Sequence, residues 1–223
     1  MKKKGLLIGC SNGKCFTPVF SKIFKDLDFE WTNLSFAGMG NYYISSMLFE
    51  YIKTVGTPDY VYLQFTGLSR IDIPLDKNFF VPDYEFQKKT KLNTWVASGG
   101  YNGSWNNNIF TRKIFSYMYN IKNIQSTYDL SLQNVFKAIE LCKSLKIKYN
   151  WTFYYDVINP PNEITKLDGC IKEFPKYIDK THHIVAYPLN FSYKTNTIPN
   201  DGVHYSGVIF YNFVNNYKNK FNI

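Results

Sequence analysis

The chain has 223 residues, 45% of them hydrophobic, and a formal charge of +9 at neutral pH. That length suits one well-buried core, that apolar content excludes a disordered chain, and no apolar run reaches the roughly 20 residues of a bilayer-spanning helix. The charge does not point to nucleic acid: the lysines are scattered, the only arginines are Arg70 and Arg112, and no basic helix or RNP-like aromatic motif occurs.

The expectation is therefore one domain over 1–223, with no membrane span and no nucleic-acid partner. The abundance of Lys, Asn, Tyr, Phe and Ile matches the coding bias of an AT-rich genome as well as any selection on the protein. Met1 to Lys4 are basic, but the apolar stretch behind them is too short for a signal peptide, so a cytoplasmic location is expected. Cys10 and Cys15 are too far apart for a C-x-x-C pair, and no His stands near enough to complete a zinc site with Cys142 or Cys170. Reduced thiols, no metal and no cofactor are expected.

In chain order, residues 5–10 read as a buried strand that ends abruptly in Gly9-Cys10-Ser11-Asn12-Gly13. Thr17 to Phe24 suits a short helix. "FEWTNLSFA" (29–37) alternates as a second strand and is closed by Gly38-Met39-Gly40. Ile44, Met47, Leu48, Tyr51, Ile52 and Val55 recur at helical spacing, and "YVYLQF" (60–65) is a third strand. Alternation of strand and helix predicts a parallel sheet with crossover helices.

From 66 to about 128 the pattern breaks, giving an irregular insertion around 71–128. "ASGGYNGSWNNN" (97–108) is a loop by its turn chemistry, carrying Tyr101 and Trp105, which could stack on a sugar ring or simply anchor the loop. Asp129 is the expected cap of a helix through Leu132, Val135, Phe136, Ile139, Cys142 and Leu145. "YNWTFYYDVI" (149–158) is a fourth strand, "HHIVAYPL" (182–189) a short fifth, and Ser206 to Phe221 a final helix. His182 and His183 have no carboxylate at metal-ligand spacing and read as structural. Asp72, Asp76 and Asp83 form no motif, and the Asn-x-Ser/Thr sequons carry no meaning without secretion.

In a parallel sheet, ligands gather at the carboxyl ends of strands. Ser11 stands at such an end, as either a helix cap or an exposed nucleophile. Asp201 and His204, three residues apart in "NDGVHYS", can share one side of a turn, the carboxylate taking an imidazole N–H. An imidazole so oriented makes a serine hydroxyl nucleophilic near neutral pH. Taken singly, Asp201-Gly202 is an ordinary turn and His204 an ordinary histidine.

"GCSNG", "NLSFAGMGN", a strand followed by the polar turn "TGLSR", and the late "DGVH" resemble the conserved blocks of SGNH (GDSL-type) hydrolases. Order and spacing match across nearly the whole chain. The resemblance implies an α/β fold: a three-layer α/β/α sandwich with a parallel flavodoxin-like sheet. It also implies a carboxylic ester hydrolase that needs no metal. Ser11 would be nucleophile, His204 general base and Asp201 its orienting partner, with the Ser11 and Gly38 N–H groups forming the oxyanion hole.

Two departures stand out. Gly-Asp-Ser reads Gly-Cys-Ser here, and in "TGLSR" Leu68 falls where the block-three Asn would stand. Asn41, Thr66, Ser69 or Arg70 would have to supply the missing contact, and Arg70 could instead bind an acidic substrate group or serve only in a salt bridge. The implied substrate is a small acyl ester, such as an O-acetylated carbohydrate. A catalytically weak or inactive glycan-binding or structural protein of the same fold is the alternative. Composition and divergent blocks also resemble SGNH-like proteins encoded by phages and large viruses.

Overall fold

The strands in chain order are β1 (Lys3–Ile8), β2 (Phe29–Asn33), β3 (Tyr60–Phe65), β4 (Asp72–Leu75), β5 (Thr94–Ala97) and β6 (Lys148–Phe153). The helices are α1 (Phe16–Ile23), α2 (Asn41–Thr54), α3 (Ile124–Ser144) and α4 (Gly207–Asn216). The computed structural model describes residues 2–10, 13, 15–36, 38–75, 94–97, 113, 117, 124–154, 157–158, 171, 173–184 and 207–223.

β2, β1, β3 and β6 lie side by side in that order, all parallel. β3 is buried at every residue, as a central strand covered on both faces must be. On one pleat, Tyr62 meets Phe16 and Phe20 of α1 and Phe210 of α4, with ring centroids 5.4, 5.2 and 6.2 Å apart. Phe65, on the other pleat, packs edge-on against Trp151 at 5.9 Å. α1 packs with α4 and α2 with α3, so the helices cover the sheet as an α/β/α sandwich. Each large ring removed from water stabilises the fold by about 1.5–3 kcal/mol. The chain passes from β1 outward to β2, then back across β1 to β3. That reversal puts the crevice for a ligand at the carboxyl ends of β1 and β3.

Asn150 fastens the end of the chain to this sheet. Its Nδ2 donates to the carbonyls of His182 (3.2 Å) and Lys220 (3.0 Å), and its Oδ1 accepts from Asn222 N (2.6 Å) and the Tyr60 hydroxyl (3.2 Å). A buried amide with both ends engaged is a strong fixed point.

Several boundaries differ from the sequence expectations. The stretch expected as irregular after 71 contains an antiparallel pair, Asp72↔Ala97 through Leu75↔Thr94. Two four-residue strands, one holding Pro74, leave too little alternation to recognise. α3 starts at Ile124 rather than at Asp129, whose carboxylate accepts from Gln125 Nε2 at 2.9 Å within the helix. That first turn carries no apolar stripe, but Thr127 and Ser131 are buried against the rest of the fold. β2 stops at Asn33, because Asn33 Oδ1 takes the Ser35 N–H at 3.0 Å and bends the chain. α4 ends at Asn216 and a 3-10 turn follows at Lys218–Lys220. Of the expected fifth strand, an isolated parallel bridge between Trp151 and His183 is present; residues 185–189 lie outside the described residues.

His183 stacks on Trp151, ring centroids 4.1 Å apart, and burial, helped by nearby Lys180, holds its imidazole down at about 4. As pH falls from 6.5, the unfolded chain takes up this proton before the folded one does. Stability is therefore lost progressively between pH 6.5 and 4 and levels off below. The ceiling is about 3 kcal/mol, reduced because part of the ring still meets water. His183→Phe keeps the stacked ring and removes the titration. Denaturant unfolding should show the wild type losing ground to this variant as pH drops from 6.5 to 4, with no divergence between pH 7 and 8.

Candidate active site

The turn after β1 and the turn after β2 are laced together. Gly13 N donates to Cys10 O at 2.9 Å, closing the first turn. Asn33 Nδ2, at the end of β2, donates to Gly13 O at 2.5 Å. Phe36 N donates to Gly9 O at 3.1 Å, carrying the second segment on alongside the first. Gly13 lies so close to Ser35 that a Cβ at residue 13 would overlap the Ser35 side chain. Gly38, just beyond, has φ +78°, the left-handed region that favours glycine.

The start of α2 is tied to the end of β3. Asn41, 1% exposed, donates from Nδ2 to Thr66 O (3.2 Å) and to Ser131 Oγ of α3 (2.8 Å), while its Oδ1 accepts Thr66 N at 2.8 Å. Both amide hydrogens of Asn41 are thus engaged with the protein itself, and Thr66 is wholly buried. Asp72, at the start of β4, is also buried. Its Oδ1 accepts Gly40 N at 2.7 Å and its Oδ2 accepts Tyr43 N at 2.9 Å. Burial pushes the Asp72 carboxyl up to about 6, against the opposing pull of those N–H groups and of Arg70. Arg70 Nη1 donates to Met39 O at 3.3 Å.

Leu68 is fully buried and offers no polar group. A Gly-x-Asn-Asp block counted from Gly67 instead sets Ser69 at the Asn position and Arg70 at the Asp position; both are half-buried. Burial, with a smaller push from Cys10, raises the Cys15 thiol to about 12, so at neutral pH it is a protonated thiol. Among the described residues, His, Cys, Asp and Glu do not gather in threes as metal ligands would. No helix among them is long and apolar enough to cross a membrane.

Of the residues singled out in the sequence, Gly38, Thr66, Ser69 and Arg70 stand on the connections that follow β2 and β3, and Asn41 opens α2. Ser11, Tyr101, Trp105, Asp201 and His204 lie outside the described residues. Sequence reasoning passed over Asn33 and Asp72. A helix opening on Gly40 with no Ser, Thr, Asn or Asp at the cap was the signal for a remote acceptor.

Two solved structures share this fold. The psychrotrophic esterase EstA from Pseudoalteromonas sp. superposes with a TM-score of 0.51 at 10% identity, over 99% of this chain and 96% of its own. A catalytic mutant of the acetylxylan esterase Axe2 from Geobacillus stearothermophilus gives 0.53 at 11% identity, over 100% of this chain and 96% of its own. No family model and no curated protein matches the sequence. At such identities the likeness establishes the fold, a parallel central sheet flanked by helices.

Asn41→Ala should strip partners from the buried Thr66 N–H and Ser131 hydroxyl. The expected loss is about 2–4 kcal/mol of unfolding free energy by urea titration, since each orphaned buried group costs about 1–3 kcal/mol. A change under about 0.5 kcal/mol, the low end for a single hydrogen bond, would mean the amide does not join α2 to β3 and α3.

Proposed function

We propose that the protein is a serine carboxylic ester hydrolase of the SGNH type. In this reading Ser11 Oγ attacks the acyl carbonyl while a His204 ring nitrogen takes its proton, and Asp201 orients the imidazole and steadies its positive charge. The carbonyl oxygen, now negative, is met by the N–H groups of Ser11 and Gly38. Collapse expels the alcohol, which leaves with the proton held by His204. Water then attacks the acyl-enzyme, giving up a proton to His204, and the acid departs as Ser11 recovers its hydrogen.

The observation that carries the reading is the lacing of the two turns: Asn33 to Gly13, and Phe36 to Gly9. It draws together the two chain segments whose N–H groups an oxyanion hole would need. A second observation supports it from the far end of the chain. Gly207 opens α4 against Cys15, where an added Cβ would come to 3.6 Å from the Cys15 Cβ. His204 precedes Gly207 by three residues and Ser11 precedes Cys15 by four. Covalent geometry limits those spans to roughly 11 and 14 Å, so encounter of the two side chains is within reach.

The substrate class is a small acyl ester, with an O-acetylated carbohydrate as the specific candidate. Both similar structures are esterases, and one of them is an acetylxylan esterase. Ser69 is the residue to supply a third oxyanion donor, in place of the usual Asn. Loss of one such donor costs about 2.7–4 kcal/mol in the transition state, so a hydroxyl there would give a slower enzyme. The lack of an Asn in "TGLSR" favours a second reading, in which the fold binds an acylated glycan without cleaving it.

Hydrolysis of p-nitrophenyl acetate by wild type, Ser11→Ala and His204→Ala decides between them. The first reading predicts that each substitution lowers kcat by about 10³-fold or more, and that the double variant is no worse than either, as for groups acting as one unit. Wild-type activity no greater than that of Ser11→Ala would contradict it and leave the binding reading.

A further inference from the structure

Resting on the hydrolase reading, we infer that Arg70 and Asp72 are positioning residues that clamp one peptide group and thereby hold the turn that carries Gly38. The Met39–Gly40 peptide is planar, with its carbonyl at one edge and its N–H at the other. Arg70 Nη1 donates to that carbonyl at 3.3 Å, and Asp72 Oδ1 accepts that N–H at 2.7 Å. A cation thus grips the negative end of the peptide dipole and an anion grips the positive end. With both edges held, the plane cannot turn without losing a charged hydrogen bond.

The local chain cannot do this for itself. The turn's own bond, Met39 N to Phe36 O, is long at 3.4 Å, and glycines stand on both sides of Met39. A capping side chain at residue 40 is excluded, since a Cβ there would come to 2.8 Å from Asp72 Oδ2 and 2.9 Å from Arg70 Cβ. The cap of α2 is therefore borrowed. Asp72 accepts the N–H of Gly40 and, through its second oxygen, that of Tyr43 at 2.9 Å, serving both halves of a capping box from the next strand. A carboxylate at a helix N-terminus is favourably placed. What sets this apart from an ordinary cap is the Arg70 grip on the Met39 carbonyl, in the turn that holds Gly38.

The test measures kcat and KM for p-nitrophenyl acetate, with amide hydrogen exchange followed by mass spectrometry, on wild type, Asp72→Asn and Arg70→Met. Below the unfolding midpoint, Asp72→Asn should lower kcat by about 10-fold or more with KM within twofold. Exchange over 36–43 should rise at least threefold, with 60–65 unchanged. Arg70→Met should shift both readouts the same way by a smaller factor, and it carries the test alone if Asp72→Asn does not fold. A folded variant with kcat within twofold of an active wild type, or with unchanged exchange over 36–43, overturns the clamp while leaving the hydrolase reading intact. A wild type no more active than Ser11→Ala overturns both.

Discussion

The hydrogen bond from Asn33 Nδ2 to the Gly13 carbonyl, beside that from Phe36 N to Gly9 O, joins the turns that follow two neighbouring strands. It sits where β1 has stopped and its helix has not begun. Its donor comes from the last residue of β2, and the same side chain bends that strand through Ser35 N. One amide therefore ends a strand, shapes the turn that follows and secures the turn beside it. Every functional statement about this crevice depends on those two turns staying together.

The carboxyl edge of the sheet is polar for a reason that comes before any function. Parallel strands end there and helices begin, and each helix start leaves backbone N–H groups without partners. Asp72 meets that need at α2 by reaching across from β4, while Asn41 satisfies the Thr66 N–H just beyond β3. The result is a rigid edge whose side chains and amides already have fixed directions. Fixed dipoles are what a developing negative charge requires, because little has to reorganise when it appears.

Much of the scaffold was legible in the sequence. "YVYLQF" reads as a strand because aromatic and branched aliphatic residues, with Gln64 the one amide, suit burial on both faces, and β3 occupies Tyr60–Phe65. The stripe through Ile44, Met47, Leu48 and Tyr51 reads as a helix because its spacing keeps those side chains on the core side of α2. What stayed hidden was tertiary. The opening turn of α3 has no stripe of its own and is fixed by buried Thr127 and Ser131. β4 and β5 are too short to show alternation. Asp72 looks like one of several scattered acids, since nothing local reveals that residue 40 has no room for its own cap. Asn41 looks like a free donor near the site until its partners on Thr66 and Ser131 are seen. Ser11, Asp201 and His204 stand out only as a joint pattern, by resemblance; they lie outside the described residues and belong to the proposal rather than to the fold.

The most direct measurement is mass-spectrometric mapping of the protein after reaction with a p-nitrophenyl phosphonate ester. Such a reagent traps an activated hydroxyl through a P–O bond and releases nitrophenol. The account predicts one equivalent of nitrophenol, with the phosphonyl group on Ser11 and no adduct when His204 is replaced by Ala. A protein that hydrolyses esters yet carries the adduct on another residue, or none on Ser11, would contradict it.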